Sequence, residues 1–234
     1  MPQTFDIICE KNETVAEEVQ SIWFTLNEKL EFKPGQFMTL LLPKDGVTVR
    51  KMYSIASAPH FTDRFELCIN RVPGGFGSNF LCDLKPGMKL QCIGPYGVFI
   101  LREPLQNDLV FIATGTGIAP MKSMLDTIWE KKLEGGRTIW LFFGARTQAH
   151  LIYHNEFQKM AAEHSNFKYV ATLSREENWT GAKGHVQDHF AEHITDPTGK
   201  EAYACGLTVM VSDVRKKLAE MGFPKERVYF ENYV

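Results

Sequence analysis

The segment LVFIATGTGIAP, residues 109–120, joins an apolar run to a glycine-rich turn that ends in proline. The run predicts a buried strand, and residues 121–133 carry apolar side chains at helical spacing. A turn between strand and helix offers free backbone N–H groups and the positive end of a helix dipole to a pyrophosphate. The candidate binding residues in this turn are Thr114, Gly115, Thr116, Gly117 and Pro120. The full G-x-G-x-x-G spacing is absent, so a simple tight turn is the alternative.

The order of strand and then helix recurs twice in the second half of the chain. Residues 138–143 predict a strand before a helix at 154–163, and residues 203–205 predict one before a helix at 209–221. Successive units of this kind favour a doubly wound parallel sheet.

The first half has a different pattern, with short apolar segments such as 37–42 and 65–72. Proline and glycine turn signals separate these segments, at residues 33–35, 43–46, 73–75 and 85–87. This pattern is typical of an antiparallel barrel, whose charged residues we expect on the solvent side.

The length of 234 residues favours two domains. Both periodicities are interrupted at residues 102–108. We therefore predict an antiparallel β-barrel domain at residues 1–103, followed by an α/β domain with a doubly wound parallel sheet at residues 104–234.

Composition excludes several classes of function. A formal net charge of −2 gives no reason to expect nucleic acid or anionic lipid as a partner. No segment approaches the roughly 18 apolar residues of a membrane span, and no targeting signal is apparent, so we expect a cytoplasmic protein. The five cysteines lack the spacing of metal sites, disulfide frameworks or iron–sulfur clusters, so we expect no metal and a separate molecule as any one-electron partner.

Two segments of the first half carry candidate chemistry. In RKMYSIAS, residues 50–57, Tyr53 is suited to stack on a flavin ring, a neighbouring cation to bind its phosphate tail, and Ser54 to approach the reactive ring nitrogen. An edge strand with exposed charges is the alternative. The segment GGFGSNFL, residues 74–81, joins flexible backbone to a hydroxyl as an anion-binding turn would, with a plain hairpin loop as its alternative.

Taken together and in this order, these segments resemble the ferredoxin–NADP reductase superfamily, and its plant-type members in particular. The matching motifs are YSIAS at 53–57, SNFLCDLKPG at 78–87, GPYG at 94–97, the glycine loop at 115–120, ACG at 204–206 and ENY at 231–233. The resemblance spans nearly the whole chain. It implies a barrel that binds FAD and a second domain that binds NAD(P)H.

The resemblance also implies roles for individual residues. The implied catalytic residues are Ser54, Cys205 and Glu231, although Cys205 could instead be a small buried packing residue. The implied FAD contacts are Arg50, Lys51, Tyr53, Ser54, Cys68, Ile69, Asn70, Gly75, Phe76, Gly77 and Ser78. The implied nucleotide and C-terminal contacts are Thr114, Gly115, Thr116, Gly117, Pro120, Ala145, Arg146, Ser174, Arg175, Lys183, Gln187, Cys205, Gly206, Leu207, Glu231 and Tyr233.

The chain departs from the family pattern at two places. The family has an arginine two residues before the stacking tyrosine, whereas this chain has Lys51 there and Arg50 beside it. A lysine offers a point charge rather than a bidentate fork, so the pyrophosphate contact changes. The chain also continues by one residue beyond Tyr233, to Val234.

The resemblance implies an enzyme that moves hydride between NAD(P)H and FAD and passes single electrons to a separate carrier such as ferredoxin or flavodoxin. Ser174, Arg175 and Lys183 resemble the contacts of a 2′-phosphate and favour NADPH, with NADH as the alternative and Lys183 as an ordinary loop cation. The competing functions are an NAD(P)H:flavin reductase, the reductase component of an oxygenase, and an electron-relay subunit that binds no nicotinamide.

Overall fold

The computed structural model describes residues 2–233, which divide into two compact units. The first unit contains residues 2–101 together with Ala119–Glu130. The second contains Arg102–Ile118 and residues 131–233. The predicted fold class, an antiparallel barrel domain and a parallel α/β domain, is confirmed. The domain boundary at residues 103 and 104 stays a prediction.

The first unit is built on a six-stranded antiparallel sheet in the order β4-β3-β6-β1-β2-β5. Its elements are β1 (Gln3–Ala16), β2 (Val19–Leu26), β3 (Phe37–Lys44), β4 (Val47–Ser54), β5 (Arg64–Asn70), α1 (Phe76–Cys82) and β6 (Lys89–Tyr96). A bridge between Ile55 and Leu67 joins the chain after β4 to β5, so the two edges of the sheet meet. Alternate side chains of β3, Met38, Leu40 and Leu42, are fully buried in the core that the strands enclose.

The ends of β3 and β5 differ from the sequence-based expectation. β3 extends to Lys44 because the hairpin needs only Asp45 and Gly46, both at positive φ (47° and 79°). β5 ends at Asn70 rather than at residue 72, because Arg71 and the residues after it form the turn that leads into α1.

The expectation that charged residues of the barrel strands face solvent is wrong for Glu66. This β5 residue is only 3% exposed. The physical reason is that residues Ala119–Glu130, which follow much later in the chain, belong to the same unit and bring Lys122 to the Glu66 carboxylate.

The second unit contains a six-stranded sheet in the order β10-β9-β8-β7-β11-β12, and all neighbouring strands are parallel. The strands are β7 (Asp108–Thr114), β8 (Ile139–Ala145), β9 (Phe167–Leu173), β10 (Ala182–Lys183), β11 (Lys200–Leu207) and β12 (Val228–Tyr233). The helices are α2 (Ile118–Glu130), α3 (His154–Glu163), α4 (Val186–His193) and α5 (Thr208–Glu220), of which α2 after Ile118 belongs to the first unit.

The predicted strand and helix pairs of this half are present, but β9, β10 and α4 were not predicted. The helix predicted at residues 121–133 begins at Ile118, because Pro120 is tolerated in a first helical turn. It ends at Glu130, and Lys132 beyond it has φ +54°.

β7 lies between β8 and β11, so the direction of strand addition reverses at β7. Ligands of open α/β sheets bind at the carboxyl ends of strands beside such a reversal. The glycine loop 114–117 follows β7 at this point. No helix among residues 2–233 has the length and apolar character that crossing a membrane requires.

Candidate functional site

The glycine loop after β7 forms a short 3₁₀ turn, Gly115–Gly117, that leads directly into α2. Gly115 has φ +54°, and a side chain built on it would meet no atom within 4 Å. Gly117 has the opposite environment, because a Cβ there would lie 2.4 Å from the carbonyl oxygen of Cys205. Gly115 therefore leaves space above the turn, and Gly117 allows the turn to approach the end of β11.

The end of β11 is equally constrained. Gly206 has φ +150°, and a Cβ there would lie 2.4 Å from the Thr114 hydroxyl oxygen. That hydroxyl is buried and has no hydrogen-bond partner among the described residues. The structure thus brings together Thr114, Gly117, Cys205 and Gly206 around a buried polar group that can bind a ligand.

Cys205, Glu231 and Tyr233 also meet, because β11 and β12 pair with Cys205 opposite Glu231. Cys205 is fully buried. Burial raises the pKa of its thiol, as does the Glu231 carboxylate to a smaller degree, whereas a hydrogen bond with the Tyr233 side chain acts in the opposite direction. Cys205 is therefore a neutral thiol. The predicted contact residue Leu207, by contrast, is 64% exposed.

The candidate 2′-phosphate residues gather at the carboxyl ends of β8 and β9. The backbone N–H of Ser174 donates to the carbonyl of Ala145 (3.1 Å), and that of Arg175 donates to the carbonyl of Arg146 (2.8 Å). The side chains of Arg146, Ser174 and Arg175 are exposed. The Lys183 ammonium donates to the backbone carbonyl of Glu177 (2.7 Å), so it supports its own loop. Gln187 lies in the first turn of α4.

On the barrel, the alternation of β4 separates the two candidate cations. Met38 pairs with Tyr53 and Leu40 with Lys51, so Tyr53 and Lys51 share a face, and Arg50 points to the other. A Cβ on Gly77 would lie 2.8 Å from the Lys51 side chain, which therefore runs along the start of α1. Lys51, not Arg50, occupies the face on which Tyr53 lies.

Tyr53 is partly buried against the barrel core, and Ser54 is 6% exposed. Burial raises the pKa of the Tyr53 hydroxyl to about 12, with a smaller contribution from Cys82. The ring is neutral across the physiological range and keeps a partly open face. A half-covered neutral ring fits the aromatic contact that a flavin requires.

The loop before α1 uses its own hydroxyl internally. Ser78 Oγ accepts from the backbone N–H of Val72 (3.1 Å) and donates to the carbonyl of Gly75 (3.2 Å). No side-chain hydrogen bond caps the start of α1 at Gly75. The Lys44 ammonium lies over the Phe76 ring, 5.0 Å from the ring centre. Cys68, Ile69 and Asn70 form the end of β5.

One group of residues was missed by the sequence reasoning. Ser123 Oγ donates to the carbonyl of Ser57 (2.7 Å), and the backbone N–H of Glu66 donates to Ser57 Oγ (3.0 Å). The Lys122 ammonium lies 3.5 Å from Glu66 Oε2. No local pattern signals this group, because its members come from residues 57, 66 and 122–123.

The residues fit both cofactors. The open Gly115 turn and the buried Thr114 hydroxyl suit a nicotinamide nucleotide, and the Tyr53 face with Lys51 along α1 suits FAD. The role of each individual residue stays a prediction. Among the described residues, no group of His, Cys, Asp and Glu side chains could hold a metal ion, and all five cysteines are buried thiols.

Comparison with known families agrees with both halves. Residues 6–100 match the family described as oxidoreductase FAD-binding domain, and residues 111–216 match the family described as oxidoreductase NAD-binding domain. Among solved structures, the cytochrome P450 reductase GcoB of Amycolatopsis has a TM-score of 0.91 at 27% identity, covering 99% of this chain and 70% of that one. A ferredoxin NADP+ reductase of Neisseria gonorrhoeae has a TM-score of 0.83 at 20% identity, covering 99% and 98%.

Curated relatives agree as well. Ferredoxin–NADP reductase B of Sorangium cellulosum is 38% identical over 212 residues, which cover 86% of this chain and 85% of the relative. The reductase component of phenol 2-monooxygenase from Pseudomonas sp. is 32% identical, covering 92% of this chain and 61% of its own length. The glycine betaine monooxygenase reductase subunit of Pseudomonas aeruginosa is 34% identical, covering 86% and 56%. The chain therefore belongs to the ferredoxin–NADP reductase family of FAD- and NAD-binding oxidoreductases.

Proposed function

We propose that this chain is a reductase that takes hydride from NADPH, in preference to NADH, and delivers electrons one at a time to a separate small carrier such as ferredoxin or flavodoxin. The observation that carries the proposal is the group Thr114, Gly117, Cys205 and Gly206, in which the buried Thr114 hydroxyl has no hydrogen-bond partner among residues 2–233. Such a group is suited to bind a nicotinamide nucleotide. A relay subunit that binds no nicotinamide would not need it.

FAD, when bound, supplies the conversion between a two-electron hydride and single electrons. The chain supplies binding and orientation. Tyr53 offers its ring face, Lys51 offers a positive charge along α1, and Ser54 offers the hydroxyl expected at the reactive ring nitrogen. Glu231 is the carboxylate that we expect to take up or return a proton.

Cys205 contributes a small neutral group to the nicotinamide site. A thiolate there would place a second negative charge beside Glu231, and the raised pKa of the buried thiol prevents this. The Cys205 thiol is fully buried, and Gly117 and Gly206 leave no room for a side chain. We expect this close packing to keep the proposed nicotinamide site rigid. A rigid surface is what positioning for hydride transfer requires.

The preference for NADPH rests on Ser174 and Arg175, which are exposed and held in place by backbone hydrogen bonds to residues 145 and 146. A guanidinium can bind a 2′-phosphate with two hydrogen bonds. Arg175→Ala is expected to weaken NADPH binding about tenfold to hundredfold and to leave NADH binding unchanged. Equal losses for both nucleotides would contradict this assignment.

A second candidate is the reductase component of an oxygenase. It is favoured by the relatives from phenol 2-monooxygenase and glycine betaine monooxygenase, although this chain spans only 61% and 56% of their lengths. Both candidates share the same first half-reaction. They differ in the acceptor, so turnover with ferredoxin or flavodoxin, compared with turnover with an oxygenase component, separates them.

The deciding experiment is anaerobic stopped-flow absorbance of the FAD-loaded protein after mixing with NADPH and, separately, with NADH. Rapid bleaching of bound flavin by NADPH supports the proposal, and faster bleaching by NADH reverses the nucleotide preference. Bound FAD that neither nucleotide bleaches identifies a relay subunit. Turnover that requires added free flavin identifies a flavin reductase.

A second test concerns Ser54. Ser54→Ala removes one hydroxyl and should slow bleaching by about tenfold to a thousandfold, because the hydroxyl acts on a charge that changes during hydride transfer. An unchanged bleaching rate in this variant would remove Ser54 from the proposed site.

A further inference from the structure

A buried cluster of charges lies next to the segment that carries Tyr53 and Ser54. The Lys122 ammonium lies 2.8 Å from Asp126 Oδ2 and 3.5 Å from Glu66 Oε2. The side chains of Lys122 and Glu66 are only 10% and 3% exposed. Ser21 Oγ donates to the other oxygen of Glu66 at 2.5 Å. The Lys122 ammonium therefore lies beside two carboxylates inside the first unit.

Glu66 is bound to the flavin segment through its backbone. Its carbonyl accepts from the N–H of Ala56 (2.8 Å), and its N–H donates to Ser57 Oγ (3.0 Å). The neighbouring residue Leu67 forms the bridge to Ile55. Every residue from 55 to 57 is thus tied to β5 at or beside Glu66, immediately after Ser54.

The same segment is held from α2. Ser123 is fully buried, and its hydroxyl donates to the carbonyl of Ser57 (2.7 Å). Lys122 and Ser123 are consecutive, so this one turn of α2 contacts both the Glu66 carboxylate and the Ser57 backbone. Two adjacent side chains of α2 therefore fix the chain that follows Ser54.

A buried ion pair is a poor source of stability, because apolar residues of the same volume can stabilise the fold equally well. Its distinguishing property is geometric, since charges of low exposure tolerate few arrangements of their partners. A cluster of this kind beside Ser54 is suited to hold the backbone there in one conformation.

We propose that Lys122, through Glu66 and the residues 55–57, is a positioning residue that holds the Ser54 hydroxyl in place for hydride transfer to FAD. The inference rests on the proposed function, because it assigns Lys122 a role that exists only if Ser54 acts on the flavin. Lys122 does not contact the reacting atoms in this assignment. It acts through Ser54.

The primary test compares Lys122→Met and Lys122→Arg in the FAD-loaded protein by stopped-flow bleaching at saturating nucleotide. Lys122→Met should lower the bleaching rate by about tenfold to a hundredfold, since small displacements of an orienting group have effects of this size. The dissociation constant of the nucleotide should change by less than about twofold, because its residues are untouched. Lys122→Arg keeps the positive charge and should therefore keep most of the wild-type bleaching rate.

A matched control is Lys200→Met in the second unit. Lys200 is also partly buried, at 18% exposure, and its ammonium lies 3.9 Å from Asp108 Oδ2 at the amino-terminal ends of β11 and β7. This variant should lower the melting temperature and leave the bleaching rate unchanged. If Lys200→Met and Lys122→Met slow bleaching equally, the effect is one of general stability and the inference is overturned.

A double-mutant cycle tests whether Lys122 acts through Ser54. In a Ser54→Ala background, Lys122→Met should cause little further loss, because the hydroxyl that it positions is already absent. An equal loss in both backgrounds overturns the inference. If Lys122→Met does not fold, Ser123→Ala replaces it, with an expected loss of about threefold to tenfold and the same dependence on Ser54.

The failure of the proposed function is visible separately. If wild-type FAD is not bleached by either nucleotide, the proposed function fails before any variant is compared. If the wild type is bleached and Lys122→Met is bleached at the same rate, the proposed function stands and the positioning role of Lys122 is refuted.

Discussion

The glycine loop after β7 lies in the second unit, and the buried Glu66 side chain of β5 lies in the first. Only the loop could be recognised from the sequence. The loop needs Gly115 for a positive φ and Gly117 for a close approach, and both requirements fall on residues that are neighbours in sequence. The charged partner of the buried Glu66 carboxylate is Lys122, which lies 56 residues later in the sequence. Local backbone requirements leave a local signature, whereas a buried charge takes its partner from anywhere in the chain.

The difference also concerns what a substitution would do. At the loop, the space around a glycine decides the outcome, and that space can be measured for each position. At Glu66, the solvent exposure of the ion pair decides how much stability a substitution removes, and the distance between the charges is a poor guide. The following substitutions test these two statements separately.

The largest effect is expected from Glu66→Ala. Removing this carboxylate leaves the Lys122 ammonium with less compensation at 10% exposure and deprives Ser21 of its acceptor. The free energy of unfolding should fall by about 3 kcal/mol. Urea unfolding followed by fluorescence measures it.

The control for this prediction is Glu31→Ala. The Lys29–Glu31 pair is shorter, at 2.6 Å, but its side chains are 66% and 74% exposed. Its removal should leave the urea midpoint unchanged, since solvent screens exposed pairs. Equal effects of the two substitutions would show that exposure does not decide the strength of these pairs.

The next effect is that of Gly117→Ala. The new Cβ would lie 2.4 Å from the Cys205 carbonyl oxygen and 2.7 Å from the Gly206 nitrogen, and backbone atoms cannot move aside alone. The free energy of unfolding should fall by about 2 kcal/mol, and NADPH binding should weaken with it. Urea unfolding and a nucleotide titration measure the two changes.

Gly144→Ala is the matched control on the neighbouring strand β8. A Cβ there would lie 3.0 Å from Thr114 Cγ2 and 3.1 Å from Val186 Cβ, so these neighbours need to shift much less than the backbone atoms around Gly117. Its effect on stability should therefore be smaller than that of Gly117→Ala. The reverse order would contradict the claim that the backbone of β11 limits the loop.

The same contrast explains how much the sequence could predict. Alternating and helical periodicity predicted both sheets. The order of short motifs implied roles for Thr114, Gly117, Cys205 and Gly206, and only the structure shows that they meet. Periodicity assigned Glu66 to solvent, because alternation along β5 carries no information about a helix that covers it later. Strand β10 was missed because its two residues are too few to show a periodicity. Strand β9, FKYVATL, contains strand-forming Phe, Tyr, Val and Thr, a signal that the sequence reasoning did not use.

A smaller effect separates binding from backbone strain at the loop. Gly115 and Gly199 have φ +54° and +64°, and a Cβ on either would meet nothing within 4 Å. Alanine at each should cost about 1 kcal/mol of stability, because both positions require a left-handed backbone. Only Gly115→Ala should also weaken NADPH binding, since only Gly115 lies in the candidate nucleotide site. Equal nucleotide affinities of the two variants would place the open space above Gly115 outside that site.

The smallest effect concerns pH and the Cys92 thiol of strand β6. Cys92 is fully buried, and burial raises the pKa of its thiol to about 12. In the unfolded chain a cysteine ionises near pH 8.5, so the unfolded state loses a proton that the folded state keeps. The stability that this thiol contributes is complete below about pH 8.5 and is lost as the pH rises toward the folded pKa.

Between pH 8 and pH 9 the loss should be about 0.7 kcal/mol for one such thiol. Urea unfolding at both pH values, in the wild type and in Cys92→Ala, measures it, because the other cysteines contribute equally to both proteins. The pH dependence of the variant should be shallower by that amount. Parallel pH dependences would mean that the Cys92 thiol ionises as readily in the folded barrel as in water, and burial in this core would then carry no electrostatic penalty of the kind invoked for Glu66 and Lys122.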